Sequence, residues 1–363
     1  MSFCPYPFVS FSLQYGQNVR PCCFYKPSDD EILAEDFVKN PAHHLEDGGF
    51  SGIREKMLKG EKVPGCSTCY QAEETIGFSK RTSGLKKWPD IERVNQFDKL
   101  RHIEIMIDNL CNFECRMCNS HLSSKLLKRD KFLGKDVKKY DPADISFLRL
   151  MDLSELTRLQ IQGGETFISP NLATLLDIVD EQIDASEIIL YLTTNASVLP
   201  DDAMVERLKK YKHIDMSVSI DSSHKVNDYI RFRSNIDDVY SNIKEFDKWP
   251  NTKVNITTNV SLYNADTMPD TEKKFTDMGY EHFWNWTTHA TSVCDYAPIE
   301  YQDWVCDKVK GSKYESAYRD FWKERTYDED KWNEFIDETK KLDQFYNVTL
   351  GDYHPELAKF LNI

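Results

Sequence analysis

Three cysteines fall close together in the run CNFECRMC, as Cys111, Cys115 and Cys118, directly after the alternating apolar stretch His102 to Asp108. A C-x3-C-x2-C spacing at the end of a strand fits a cluster site better than a single-ion site. Iron–sulfur clusters are held by cysteine thiolates and a cubane has four irons, so three local thiolates leave one iron open to a non-protein ligand. The alternatives are a zinc site or buried free thiols. The spacing is not that of a zinc-ribbon pair, and the next cysteine in sequence is far away.

Composition narrows the setting. A chain of 363 residues with 40% hydrophobic residues can bury a large core, either as one α/β domain with attachments or as two modest domains. Lys and Arg number 46 against 60 Asp and Glu, a formal charge of −14 that repels a phosphate backbone and disfavours nucleic acid as a partner. The Lys/Arg-rich stretch Lys125 to Lys139 reads as a solvated helix and loop. The start MSFCPYPFVSFSL has neither a basic leader region nor a small-residue cleavage site, and no apolar run approaches spanning length. The expectation is a soluble cytoplasmic protein with no membrane contact. Ten cysteines, mostly in two tight groups, read as reduced metal ligands rather than a disulfide framework.

From about residue 100 onward, strand patterns alternate with helical ones, the signature of βα units around a parallel sheet. The candidate strands are His102 to Asp108, Arg158 to Gln162, Glu187 to Thr194, His213 to Ile220, Lys253 to Val260 and His282 to Trp286. Six units make a partial (β/α)6 TIM-like barrel. Helical patterns at Asn171 to Val179, Asp202 to Tyr211 and Ile236 to Lys248 are long enough for right-handed crossovers. In barrels, chemistry collects at the carboxyl ends of the strands.

Residues 1–99 form a separate small module by texture, with a hairpin signal in FVSFSLQYGQNVRPCC turned at Gly16. The barrel is expected over 100–296 and a helical extension over 297–363. Its aromatics, Trp304, Tyr318, Phe321, Trp322, Trp332, Phe335 and Phe345, read as the packing face of helices rather than a base-stacking surface.

The cysteine motif and the strand ends downstream of it resemble the radical SAM superfamily. After the second strand comes QGGETF, where Gly163 and Gly164 let backbone approach a ligand and Glu165 can accept from an ammonium group. It resembles the GGE motif that meets the amino group of S-adenosylmethionine (SAM). The third strand ends in Thr193, Thr194 and Asn195, short polar groups at the barrel mouth, and the fourth continues into SVSIDSSHKVNDYIRFR. The resemblance implies that Ser219 and Asp221 lie near the ribose and methionine moieties and that Arg231 pairs the SAM carboxylate, a task suited to a bidentate guanidinium. Asn259 is a further candidate for ribose or adenine, and Phe113 for adenine. For Thr193, Ser219 and Asn259 a cap or turn is the plain alternative, and for Phe113 simple packing of the cluster loop.

Cys4, the adjacent Cys22 and Cys23, and the C-x2-C pair Cys66 and Cys69 lie outside the barrel. Four thiolates can close a second cluster completely. The text FCPYPF, GQNVRPCC and PGCSTCYQAEETIGFSKR resembles the auxiliary cluster module of twitch and SPASM radical SAM proteins, here ahead of the barrel. That resemblance favours Cys22 over Cys23 as the fourth ligand beside Cys4, Cys66 and Cys69. A four-cysteine zinc site is the rival. Glu73 and Arg81 read as a surface salt bridge by default, with a link between module and barrel as the alternative. Cys294 and Cys306 read as buried small apolar residues.

The resemblance therefore implies a SAM-binding 4Fe–4S cluster, an auxiliary 4Fe–4S cluster, SAM itself and a flavodoxin- or ferredoxin-like electron donor. The implied activity is reductive cleavage of SAM to a 5′-deoxyadenosyl radical that abstracts hydrogen from a substrate carbon. Twitch and SPASM relatives point to a peptide or protein substrate. A small-molecule or sugar dehydrogenase is the enzymatic alternative, and a non-catalytic iron–sulfur electron-transfer or scaffold protein the alternative of another class.

Overall fold

A computed structural model of the chain describes residues 2–14, 18–26, 32–135, 137, 144–288, 290–323 and 325–363, with residues 75 and 76 described for their backbone. The Gly16 turn and part of the Lys125 to Lys139 stretch lie outside the described residues. Among the described residues there are nine strands: β1 (Ser10–Leu13), β2 (Asn18–Arg20), β3 (Ile32–Leu33), β4 (His102–Met106), β5 (Arg158–Gln162), β6 (Ile189–Thr194), β7 (His213–Ser219), β8 (Thr252–Val260) and β9 (Glu281–Trp286). They follow the order β3-β2-β1-β4-β5-β6-β7-β8-β9 in an open sheet. The six strands β4 to β9 succeed one another in chain order, as a partial TIM-like barrel requires, and the sheet does not close.

Chain contacts separate two compact units, residues 1–109, 140–192 and 200–214 in one and 110–139, 193–199 and 215–363 in the other. In the first unit β4 pairs parallel with β5, and β5 with β6, in the register Leu159↔Leu190. Ile103, Ile105, Leu159, Ile161, Leu190 and Leu192 share one face and are fully buried. The helix Pro170–Asp180 starts where the sequence supplies a start signal. Ser169 caps it by accepting from the Asn171 N–H, Pro170 takes the first turn, and Leu172, Leu175, Leu176 and Val179 form its buried face.

β1 pairs parallel with β4, Ser10 opposite His102 and Leu13 opposite Ile105, and carries β2 and β3 beyond it. The hairpin thus extends the barrel sheet, and β4 is buried on both faces. Phe3, Tyr6, Phe8, Val9, Met57, Val63, Trp88 and Ile91 form the core of this region.

In the second unit β8 and β9 run parallel, with Thr257 opposite Phe283 and Asn259 opposite Asn285. The strands alternate: Met216 and Val218 on β7 and Val254 and Ile256 on β8 are buried, whereas Asp215, Ser217, Ser219, Asn255, Thr257 and Asn259 are partly open. This second set makes a polar face, along which the Ser217 and Thr257 hydroxyls meet at 2.8 Å. The helix Ile236–Phe246 packs through Ile236, Val239, Ile243 and Phe246. Residues after β9 are helical, and Tyr314, Tyr318, Trp322, Trp332 and Phe335 are buried with Cys294 and Cys306 in one core. The expected packing role of these aromatics and of the two lone cysteines matches that core. Among the described residues no helix is long and apolar enough to cross a membrane.

Candidate radical SAM site and a four-cysteine cavity

All ten cysteines are free thiols. In the second unit the loop of Cys111, Cys115 and Cys118 is held by its backbone. The Glu114 N–H donates to the Phe232 carbonyl at 3.0 Å, and the Arg116 N–H to the Ile230 carbonyl at 2.8 Å. Arg129 donates to the Cys115 carbonyl at 2.8 Å and the Cys118 carbonyl at 2.6 Å, fixing the turn between the two thiols. Around Cys111, Asn195 Nδ2 lies 3.0 Å from Asn112 Oδ1 and 4.0 Å from the sulfur, and the Phe113 N–H donates to that sulfur at 3.4 Å. Phe113 itself is buried within the loop, its carbonyl accepting from Ser123 at 3.2 Å.

The three thiols share one electrostatic environment. Its hydrogen bond to Cys118, then burial, pushes the Cys115 thiol up, while Cys118 is held low, first by its bond with Cys115 and then by the Arg231 and Arg129 guanidiniums. Cys111 acts on Cys115 as a further charge. The Arg231 guanidinium acting on both Cys115 and Cys118 fits thiolate ligation, which requires deprotonation. An open cavity of about 430 Å³ is walled by Arg116, Cys118, Thr288, Thr291, Glu334 and Glu338 among others. It brings the cysteine loop together with the segment following β9.

Arg231 and Asp221 are both buried and are each other's partners. Arg231 Nε lies 2.7 Å from Asp221 Oδ2 and Nη2 3.1 Å from Oδ1. Asp221 Oδ1 also accepts from the Asn259 N–H at 3.0 Å. Burial works against the Arg231 charge, but Asp221 and then Cys115 hold its pKa above the usual arginine value. Any contact of Asp221 with ribose or of Arg231 with a carboxylate is therefore made from within an ion pair. Ser219 is half-buried at the end of β7. Thr193 is also half-buried, and Thr194 Oγ1 accepts from the Ala196 N–H at 2.9 Å, a turn role.

In the first unit, the glycines after β5 lie against the end of the β4 segment. The Gly164 N–H donates to the Asp108 carbonyl at 3.1 Å, and a Cβ on Gly163 would stand 3.2 Å from that same oxygen. A side chain at Gly163 would crowd this approach. Glu165 is buried, and its Oε1 accepts from the Phe167 N–H at 3.1 Å.

Also in the first unit, Cys4, Cys22, Cys66 and Cys69 line one cavity together with Lys80 and Arg81. Cys23 is not among its walls. Its Sγ accepts from Lys80 Nζ at 3.2 Å and its N–H donates to Glu104 Oε2 at 2.6 Å. Burial pushes the Cys4 and Cys22 thiols well up, and Cys66 up to about 12, so these thiols stay protonated until something supplies compensating charge. Four thiols and two cations on one cavity fit a thiolate-bound cluster. Tight packing closes the turn before Cys66, where a Cβ on Gly65 would meet the Tyr25 ring at 2.5 Å. Among the described residues no three His, Cys, Asp or Glu side chains converge to grip a single ion.

The Glu73–Arg81 pair departs from the default surface reading. Arg81 grips Glu73 through both Nε and Nη2, donates to the Phe3 carbonyl at 2.9 Å, lies over the Tyr70 ring and is buried. Lys80, Glu104, Arg116 and Arg129 do not stand out in the sequence. The only signals for them are an arginine between two candidate ligand cysteines and a glutamate alternating with isoleucines on a buried strand.

Residues 105–272 match the family model described as the Radical SAM superfamily, a segment that contains the three-cysteine loop and the GGE residues. That segment is similar to a radical SAM domain, and that family implies a 4Fe–4S cluster and SAM. Among solved structures, native anSMEcpe with bound AdoMet is similar at 15% identity and a TM-score of 0.39, over 67% of this chain and 60% of that one. Streptococcus suis SuiB bound to S-adenosylmethionine is similar at 15% identity and a TM-score of 0.42, over 76% of this chain and 63% of that one. The chain spans about 60% of the length of these proteins. No curated protein matches the sequence.

Proposed function

We propose that the chain is a radical SAM enzyme acting on a peptide or protein, with a second, fully thiolate-ligated cluster in the four-cysteine cavity. The observation that carries the reading is the cysteine loop. It lies within the segment matched by the family model, and its Cys118 opens onto a cavity large enough to admit part of a ligand. When bound, the cluster and SAM supply a reducing electron and a 5′-deoxyadenosyl radical.

The chain's own residues hold and shield. Cys111, Cys115 and Cys118 provide three thiolates and leave one position for the SAM amino and carboxylate groups. Gly163 and Gly164 keep side chains away from the methionine end, and Glu165 offers an acceptor to the ammonium. The Arg231–Asp221 pair and Asn259 set polarity behind the thiols, while Phe113 packs the loop and excludes water. Thr193, Asn195 and Ser219 line the mouth. The electron comes from a small flavodoxin- or ferredoxin-like protein. The peptide assignment rests on the four-cysteine module, which resembles those of twitch and SPASM proteins.

The test is direct. Anaerobically reconstituted protein, reduced with dithionite and given SAM, is expected to form 5′-deoxyadenosine, and the Cys111→Ala/Cys115→Ala/Cys118→Ala variant none. Iron-loaded, reduced protein that leaves SAM intact overturns the assignment. Mass spectrometry of peptides and metabolites after co-expression decides the substrate class.

A further inference from the structure

The four-cysteine cavity is walled on one side by a charge arrangement that its architecture alone does not require. The helix Lys80–Lys87 begins with Ser79 as its cap, in a capping box with Thr82, and places Lys80 and Arg81 in the first turn. Cations there oppose the helix macrodipole and weaken the helix unless something negative lies nearby. Arg81 has its own counter-charge in Glu73. Lys80 is largely buried and meets Glu104, which is more deeply buried still. Lys80 also donates to Cys23 and lies 5.0 Å from the centre of the Tyr6 ring.

Glu104 has a partner on each oxygen. Its Oε1 pairs with Lys80 and its Oε2 accepts from the Cys23 N–H, while the His102 Nε2 lies 3.2 Å from Oε1. The carboxylate therefore holds Lys80 in place from behind; Lys80 lines the cavity together with Cys22, and its ammonium donates to Cys23, outside the cavity walls. Four thiolates around a cluster are the one large negative charge this wall would face. Cluster potentials follow net charge, hydrogen bonds to sulfur and solvent exposure. A fixed ammonium beside the thiolates stabilises the more negative, reduced state, and the fifth cysteine serves as a protein-side anchor for it.

We infer that Lys80, positioned by Glu104 and Cys23, raises the reduction potential of the N-terminal cluster. This rests on the reading of the cavity as a cluster site. Lys80 is a positioning residue that touches no substrate. The step is a one-electron reduction of the cluster core with oxidation of the reductant, and no bond is made or broken.

The test is a dithionite redox titration of the two-cluster protein followed by electron paramagnetic resonance. The N-terminal cluster is the signal that added SAM leaves unchanged. Lys80→Met is expected to make that cluster at least about tenfold harder to reduce, a downward shift of ~59 mV for one electron. Lys80→Arg is expected to hold the midpoint close to that of the unaltered protein, and Glu104→Gln, which frees the ammonium from its counter-charge, to raise it. Where Lys80→Met fails to hold iron, Lys80→Gln is titrated in its place and is expected to show the same downward shift. A SAM-insensitive signal whose midpoint is the same in these variants overturns the role of Lys80. The lack of any such signal in iron-loaded protein overturns the cluster reading itself.

Discussion

Arg231→Ala isolates a single buried charge. In the folded chain Arg231 and Asp221 are almost fully withdrawn from water, and two contacts at 2.7 and 3.1 Å join them. Removing the guanidinium leaves the Asp221 carboxylate with only the Asn259 N–H, at 3.0 Å, and the interior of the second unit around it. Breaking a buried pair in this way costs roughly 3–5 kcal/mol, because the surviving charge has lost its water and its partner. Unfolding entropy of about 2.1 cal/mol/K per residue over 363 residues gives about 0.76 kcal/mol/K. The expected fall in melting temperature is therefore about 4–7 °C, and about twice that where the second unit unfolds by itself.

The assay is calorimetry of metal-free protein, which separates this cost from any loss of SAM binding. Arg231→Lys keeps the charge but not the two-pronged geometry, and is expected to lose less than half as much. Arg231→Met/Asp221→Leu removes both charges and is expected to recover most of the loss, since apolar replacements of buried pairs are often neutral. An Arg231→Ala variant that melts within about 1 °C of the unaltered protein refutes the claim that this pair is a buried, uncompensated contact. A double variant no better than the single one refutes the charge-burial explanation.

Iron analysis of reconstituted protein is expected to give about eight irons, and about four after Cys111, Cys115 and Cys118 are all changed to Ala; zero iron, or zinc in the remaining site, rules out two clusters. His282 is partly buried against Thr258, its Nε2 2.9 Å from the hydroxyl, and burial lowers its pKa from 6.5 to about 4. A lowered histidine contributes stability that is fully present above the unfolded value and is lost as pH falls from about 6.5 towards 4, so His282→Gln is expected to flatten denaturation midpoints across that window. Asp343→Ala, which leaves the buried Arg116 unpaired, is expected to lower the melting temperature and loosen cluster retention, read as faster iron loss to a chelator. Retention equal to that of the unaltered protein refutes the anchoring role.

Local periodicity made the barrel legible. Arg158–Gln162 coincides with its expected strand, and the other five agree to within two residues at each end. The ends differ for physical reasons. The first strand stops at Met106 because the Asp108 carbonyl turns to accept from Gly164, and the third begins at Ile189 because a short turn over Ala185–Glu187 precedes it. β1 was legible as part of a hairpin, but its parallel partner was not. Parallel pairing joins segments far apart in sequence, and Ser10 opposite His102 leaves no local trace. β3 has two residues, too few to alternate. The candidate ligands were legible because cysteine spacing is a local code. Their supports were not: Glu104 reads as an ordinary alternating position until Lys80 and Cys23 are found against it.

The supports carry a further consequence. The family match ends at residue 272, yet the three-cysteine loop is braced by the helix Glu329–Tyr346 of the C-terminal extension. Arg116, between two of the cysteines, is fully buried; it donates to the Tyr229 carbonyl at 3.0 Å, lies 3.6 Å from the centre of that ring and pairs with Asp343 at 2.6 Å. Tyr229 reaches the same carboxylate at 2.7 Å, and the Leu350 N–H holds its other oxygen at 2.8 Å. Tyr346 then donates to the Glu114 carbonyl at 3.3 Å. A loop that must present three thiols at fixed positions loses conformational entropy, and here that cost is offset by a buried network from outside the family segment. The helix Glu329–Tyr346 thus braces the three-cysteine loop, and variation in it reaches that loop through Arg116 and Glu114.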